Sequence, residues 1–362
     1  METNMLKKNQ EELKTNWLNA VRFFAVLYVL WTHYEYEIFA EVHPLGQNIE
    51  KLFFMPPSPS SWLLYGYTGK YAVAVLCVIS GFVTAYSLNH KNKTSVVYYF
   101  VTRYLRIMLP VVGICLFTLA FLFIRDGMVY YDIAYIVKGM FLPGSKNFYG
   151  YFWCLSSFLI GNYLIFVLHH LLKKASVKAR LSILGVFIVL NYCVWYKLYI
   201  WDLVWAISVL TGYWIYEFVQ NYKLFLPYGI RIFSLLVVWW LPRGDESLKI
   251  YIRDTVAVCI IITLLLNSRV VNRLNNISNQ KIPAEIFGYS YSLYVVHGFF
   301  MNYFAIDLTI GLQNVFNQWW ITYIISFLIK TLFDFGFAVM LNCLFEKLIY
   351  KKCCRILKQM IK

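Results

Sequence analysis

Charge is scarce in this sequence. Asp, Glu, Lys and Arg together make up 14% of its 362 residues, and only 18 of those are acids. That is too little polar surface to cover a water-soluble core when 60% of the chain is hydrophobic. Cysteine is present but dispersed: the 8 cysteines form no Cys-x-x-Cys pair and show no His/Cys ligand spacing. This argues against both a disulfide framework and a zinc site, and no metal is expected. The two-residue alternation of a barrel strand is missing, as is any internal repeat of the inverted kind. The longest polar-leaning stretch, 35–66, reads as a loop with its turn cluster at Pro56-Pro57-Ser58-Pro59, too short to be an appended soluble module. The first 16 residues are polar, and the apolar run after them is followed by Glu35 and Glu37 in place of a small-residue cleavage site. The first span is therefore expected to be retained.

Long apolar runs are abundant, as in Val111–Ile124, Leu181–Val194 and Tyr323–Phe345. Crossing about 30 Å of hydrocarbon takes roughly 20 mostly apolar residues, and only a helix satisfies its backbone there within one segment. The expected fold is all-α: a polytopic integral membrane protein of about ten transmembrane helices with both termini cytoplasmic. The spans fall near 17–34, 67–88, 107–124, 148–172, 181–196, 203–219, 224–241, 255–266, 284–304 and 319–345. They form one membrane domain, 17–345, between a cytoplasmic segment 1–16 and a basic cytoplasmic tail 346–362. Aromatic residues, 20% of the chain, crowd the run ends as interfacial anchors do.

The net charge of +15 is a statement about topology. With the N-terminus inside, the basic clusters fall on inside segments. They include Lys91, Lys93, Arg103 and Arg106; Lys173, Lys174, Lys178 and Arg180; and Lys347, Lys351, Lys352, Arg355, Lys358 and Lys362. Outside segments hold only scattered cations such as Lys51, Arg125 and Arg243. This is the positive-inside bias of a membrane protein, so the lipid bilayer is the expected partner and nucleic acid is not.

Ionisable residues inside spans are costly, and each is a candidate for function. Arg22 and His33 share the first span, eleven positions apart. At 100° per residue they lie on one face, about 16 Å apart along the axis. A buried neutral imidazole can take a proton from a hydroxyl; an arginine snorkelling inward beside a hydrogen-bonded histidine is the plainer alternative. Arg103 and Arg106 lie one turn apart at the inside start of the third span, so both guanidiniums can meet one polyanion. Ser80-Gly81 permits close helix approach and a cross-helix hydrogen bond. His297 is a second intramembrane histidine, open to a structural or a catalytic role. Lys330 and Asp334, four apart in the last span, read as an internal ion pair.

The run from Leu18-Asn19 through Arg22 and Ala25 to His33 resembles the first-helix signature of the acyltransferase family 3 membrane proteins, Leu-Asp-x-x-Arg-x-x-Ala followed by His. Asn19 departs from that signature, where Asp is usual, and removes an Asp–Arg charge pair. Gly69, Val73 and Val78-Ile79-Ser80-Gly81-Phe82 resemble the family's second-span pattern. Arg103-x-x-Arg106-x-x-x-Pro110 resembles its Arg-x-x-Arg-x-x-x-Pro. Trp153-Cys154-Leu155-Ser156 is similar to its Trp-x-Leu motif, though Ser157 and Phe158 stand where many members carry Glu. Tyr291-Ser292-Leu293-Tyr294-Val295-Val296-His297 is similar to its late Tyr-Ser-x-Tyr-x-x-His segment. If His33 needs an acidic orienter, Glu35 and Glu37 are the sequence-near candidates.

The resemblance implies transfer of an acyl group, usually acetyl, from cytoplasmic acyl-CoA to a hydroxyl of an extracytoplasmic or lipid-linked glycan such as O-antigen, capsule or exopolysaccharide. His33 and Arg22 would be catalytic, and Arg103 and Arg106 would bind acyl-CoA. Asn19, Ser80, Gly81, Trp153, Ser156, Tyr291 and His297 would support them. Acetyl-CoA, or another acyl-CoA, would be a co-substrate, with no tightly bound cofactor. The chain would work as a homo-oligomer, alone, or with a separate extracytoplasmic partner, in the plasma (inner) membrane of a bacterium, a source also hinted at by its many Asn, Lys, Ile and Tyr. The competing classes are a polytopic transporter or flippase for an anionic or lipid-linked substrate, using the same Arg and His as a pathway, and a glycan polymerase or ligase.

Overall fold

The computed structural model describes residues 15–42, 69–90, 95–127, 133–142, 154–198, 201–221, 255, 258 and 269–361. Among the described residues the chain is helical throughout, with no strand. The helices are α1 (Trp17–Val42), α2 (Gly69–His90), α3 (Val96–Asp126), α4 (Ile133–Phe141), α5 (Leu155–Leu172), α6 (Val177–Leu198) and α7 (Trp201–Asn221). Then come α8 (Arg269–Ser278), α9 (Lys281–Gly288), α10 (Ser290–Phe300), α11 (Ile306–Phe316), α12 (Trp319–Leu341) and α13 (Lys351–Met360). Wider π turns join α10 to α11 at Met301–Ala305 and α12 to α13 at Asn342–Tyr350.

Five segments among the described residues are long and apolar enough to cross a membrane: Tyr71–His90, Val96–Asp126, Leu155–Leu172, Ser290–Phe316 and Trp320–Met360. They overlap five of the sequence-predicted spans and run well beyond three of them, the third-span helix beginning at Val96 and not near 107. The helix begun at Ser290 runs on through Phe316, and the one begun at Trp320 continues through the basic residues assigned to a separate tail. The expected span at 224–241 lies outside the described residues, as does most of 255–266. Helix α1 is long enough to cross, but Asn19, Arg22 and His33 dilute its hydropathy.

Lipid-facing and inward-facing stripes are distinct. On α12, Leu328, Leu332 and Phe333 are exposed while Tyr323, Ser326, Lys330, Asp334, Ala338 and Leu341 are buried, as expected for a helix with one face toward lipid tails. Pro110 interrupts α3. It has no N–H to give the Arg106 carbonyl, and the irregularity is tolerated where a neighbour supplies donors. The Tyr291 hydroxyl of α10 donates to the next carbonyl, Ile107, at 2.6 Å.

The closest helix contact is between α2 and α7. A Cβ on Gly81 would sit 1.8 Å from the Val209 carbonyl oxygen, and one on Gly212 would sit 2.0 Å from the Val78 carbonyl oxygen. Each glycine thus seats the other helix's backbone, the approach that small residues permit in membranes. Gly161 of α5 opens onto the Val209 side chain, where a Cβ would be 2.6 Å from Val209 Cβ. Three helices therefore meet at Val209. Asn162 laces the same region. Its Nδ2 donates to Ser80 Oγ at 3.1 Å and to the Phe158 carbonyl at 2.6 Å, and its Oδ1 accepts the Thr84 hydroxyl. Ser80 and Gly81, picked out in the sequence for a cross-helix bond and a close approach, make both.

Gly81→Ala is expected to destabilise the bundle by about 1–3 kcal/mol or more, because backbone must move to admit the methyl group. Ser80→Ala, which removes one acceptor, is expected to cost about 1 kcal/mol. Thermal unfolding of the detergent-purified protein checks both. An unfolding temperature for Gly81→Ala equal to the unsubstituted protein's would contradict the contact.

Candidate active site

A cavity of about 180 Å³ lies between α1, α2, α3, α5 and α10. Three guanidinium groups line it, Arg22 from α1 and Arg103 and Arg106 from successive turns of α3. Ser80, Thr84, Asn162, Ser290, Tyr291 and Tyr294 supply polar walls, and Val26, Leu76, Val83, Ile107, Leu155 and Phe158 the apolar ones. No carboxylate lines this cavity among the described residues. The three cations repel one another, and Arg22 stands in the field of Arg106 and Arg103. Like charges gathered without a counter-charge in a low-dielectric recess make a site for an anion. The arginines are not loose: Arg103 lies over the Tyr99 ring at 5.4 Å, and Tyr99 stacks on Phe166 at 4.2 Å. The sequence pairing of Arg103 with Arg106 thus gains a third member, Arg22, brought in by the packing of α1 and α3 on common neighbours.

Arg106 also lines a second cavity of about 410 Å³. The π turn at Asn342–Tyr350 gives it Asn342, Glu346, Lys347 and Tyr350, and α9 with its C-terminal neighbour gives it Glu285, Gly288 and Tyr289. Its charges are mixed and mutually bonded. Glu285 accepts from the Tyr289 hydroxyl at 3.0 Å and from Lys347 Nζ at 3.4 Å, and Glu346 accepts from Ser292 Oγ at 2.6 Å. Arg106 is the shared wall of a purely cationic recess and a more polar, mixed one.

The histidines lie elsewhere on the same two helices. His33 of α1 and His297 of α10 face each other with ring centroids 5.2 Å apart. His297 is fully buried, and its Nδ1 is 2.5 Å from the Tyr294 carbonyl. Tyr294 itself lines the cationic cavity, where its hydroxyl meets Cys154 Sγ at 2.9 Å. His297 is therefore one helical turn beyond the cavity wall, and His33 is about 10 Å along α1 from Val26, which also lines it. Next to His33, the Tyr34 hydroxyl bonds Thr309 Oγ1 at 3.1 Å and Ser326 Oγ. The buried ion pair of Lys330 and Asp334 lies on α12.

Of the residues singled out in the sequence, the structure brings Arg22, Arg103, Arg106, Ser80 and Tyr291 to one cavity and His33 and His297 to one ring contact. It does not enclose the two groups in a single space. Gly81 and Ser156 are behind the wall: Gly81 seats α7, and Ser156 is buried beside Leu155. Asn19 is half-buried at the start of α1 and does not line the cavity. Trp153 and the side chains of Glu35 and Glu37 lie outside the described residues. Asn162 and Thr84 escaped sequence reading because single polar residues in apolar helices carry no spacing signal. The i,i+4 pair of Lys330 and Asp334 was visible in the sequence.

The arrangement offers a cationic recess suited to a polyanion and, one to two turns farther along α1 and α10, a pair of imidazoles. Comparison with known proteins adds an identity. No curated protein and no solved structure matches the chain. A family model does, that of the family 3 acyltransferase domain, over residues 15–335. That match covers nearly the whole chain and takes in both the arginine cavity and the imidazole pair, so this membrane protein belongs to the family 3 acyltransferases.

Proposed function

We propose that this acyltransferase is an O-acyltransferase, with acetyl as its simplest cargo. It takes the acyl group from acyl-CoA on the cytoplasmic side and passes it to a hydroxyl of an extracytoplasmic or lipid-linked glycan. The observation that carries this reading is the separation of the three-arginine cavity from the imidazole pair along the shared helices α1 and α10. A donor that fits must be long, polyanionic at one end and reactive at the other. Acyl-CoA has that form, with phosphates at its head and a thioester at the tip of a flexible arm. The positive-inside pattern of the sequence puts the arginine end on the cytoplasmic side, where acyl-CoA is made.

In this reading Arg22, Arg103 and Arg106 bind phosphate oxygens, with the forked geometry that favours arginine for that task. Tyr291, Tyr294, Ser80 and Thr84 line the course of the arm. The thioester carbonyl comes to His33. The acceptor hydroxyl approaches the same carbon, and the His33 imidazole takes its proton as the C–O bond forms. Collapse of the tetrahedral adduct breaks the C–S bond, and the proton on His33 passes to the departing CoA thiolate. Free CoA leaves as the thiol and the acceptor leaves as its ester. His297, oriented by the Tyr294 carbonyl, holds the His33 ring in place.

His33→Ala is expected to lower acyl transfer by about 10²- to 10⁴-fold with insertion and acyl-CoA binding preserved. Transfer at the unsubstituted rate would remove His33 from the mechanism. Arg103→Ala and Arg106→Ala are each expected to weaken acyl-CoA binding by about 10- to 150-fold, from about 1.5–3 kcal/mol per charge-assisted hydrogen bond. Titration of detergent-purified protein with acyl-CoA measures this, and unchanged affinity in the double variant would return both arginines to a role in topology alone.

A further inference from the structure

The second cavity beside Arg106 has no part in the acyl and proton transfers just described, and two of its residues have no evident use to the fold. Asn342 lines it and is only 5% exposed. Its side-chain amide nonetheless makes no hydrogen bond among the described residues. Buried amides are almost always partnered, so one left unspent beside a cavity points to a ligand. Gly288 lines the same cavity at the end of α9. A Cβ built there would meet nothing within 4 Å, and the backbone has no positive φ at that position. The glycine therefore serves neither a tight turn nor a close helix contact, and open space lies directly over it.

The charges differ from those of the arginine recess. Arg106, Lys347 and Lys351 bring cations, while Glu285 and Glu346 bring carboxylates. Lys347 is engaged by Glu285 at 3.4 Å and lies over the Tyr289 ring at 5.4 Å. Lys351 makes no ion pair among the described residues. The carboxylates oppose a bare inorganic anion. A ligand that combines amino and ring-nitrogen groups with a single phosphate suits the mixture better.

We propose that this cavity seats the nucleoside end of the acyl-CoA donor, with the Asn342 amide reading the adenine edge and Lys351 meeting the ribose phosphate. An adenine edge sets an amino donor beside a ring-nitrogen acceptor, the pattern a carboxamide matches with a pair of hydrogen bonds. Tyr289 and Tyr350 give the cavity aromatic walls, of the kind on which bases stack. Arg106 belongs to both cavities, which places the pyrophosphate at their join. The arm then runs one way toward Tyr294, and the ribose and base run the other. The proposal deepens the reading of acyl-CoA as donor and rests on it.

The test titrates the detergent-purified full chain with three donors. These are acetyl-CoA, acetyl-dephospho-CoA (which lacks the ribose phosphate) and acetyl-phosphopantetheine (which lacks the whole nucleoside end). The unsubstituted protein is expected to bind acetyl-CoA about tenfold more tightly than the dephospho form and about 100-fold more tightly than acetyl-phosphopantetheine. Gly288→Leu extends a side chain into the open space, and Asn342→Leu replaces the amide by an apolar group of similar volume. Each is expected to weaken acetyl-CoA by about tenfold or more, with acetyl-phosphopantetheine held within about twofold. Lys351→Ala is expected to erase the preference for acetyl-CoA over its dephospho form. A structural role predicts otherwise: Asn342→Leu would weaken all three donors alike, and Gly288→Leu would weaken none. Either result would overturn the proposal, as would failure of Asn342→Leu to insert, since the amide would then belong to the fold. Equal affinity of the unsubstituted protein for acetyl-CoA and acetyl-phosphopantetheine would remove the nucleoside seat alone. Absence of acetyl-CoA binding would remove the donor assignment, and the seat with it.

Discussion

Holding cations away from bulk water is the constraint around which this molecule is arranged. Arg22, Arg103 and Lys330 would each be cheaper to remove than to keep in a membrane helix, and each is kept by a different device. Arg103 lies on the Tyr99 ring, and Lys330 is paired with Asp334. Arg22 faces, with the more exposed Arg106, a cavity with no carboxylate among its described lining residues. That last arrangement gains its counter-charge when an anion enters, so affinity for a polyanion and relief of internal repulsion are the same event. The proposed donor supplies those charges as phosphates.

The rest of the scaffold is rigid where these groups need it to be. The reciprocal contact of Gly81 with Val209 and Gly212 with Val78 locks α2 to α7 at backbone distance. Asn162 ties α5 to α2 through Ser80 and Thr84, which also line the cationic cavity. The wall of the site is thus made from the same bonds that hold three helices together. Helices α1 and α10 carry the functional sequence from one group to the other: Arg22, Val26 and His33 on α1, and Tyr291, Tyr294 and His297 on α10. Periodicity along these two helices sets the arginine cavity and the imidazole pair within about two turns of each other, and a π turn follows His297.

Much of this was legible in the sequence, for identifiable reasons. Long apolar runs made the fold class plain. Spacing alone put Arg103 and Arg106 on adjacent turns, and Arg22 on the face of α1 that also carries His33. Ser80-Gly81 announced a close contact because small polar-apolar pairs in spans have few other uses. What the sequence could not give were relations between segments far apart in the chain. The 5.2 Å approach of His33 to His297 joins residues on helices far apart in the chain. Gly212 and Asn162 are single residues whose meaning depends on the partner helix. The Lys330–Asp334 pair was readable as a pair, while the seating of its helix against α1 through the Tyr34–Ser326 bond was not. The Glu of the related motif has no counterpart at Ser157 or Phe158.

The central claim is that an acyl group, and not a solute, crosses this protein. The most direct measurement uses sealed vesicles containing the purified chain in one orientation, with acetyl-CoA labelled in its acetyl carbons supplied only on the arginine-bearing face and a glycan acceptor only on the other. Mass spectrometry of the recovered glycan should show the label in ester linkage, with free CoA accumulating on the donor side. Glycan recovered unmodified while intact acetyl-CoA or acceptor appears on the opposite side would contradict the account.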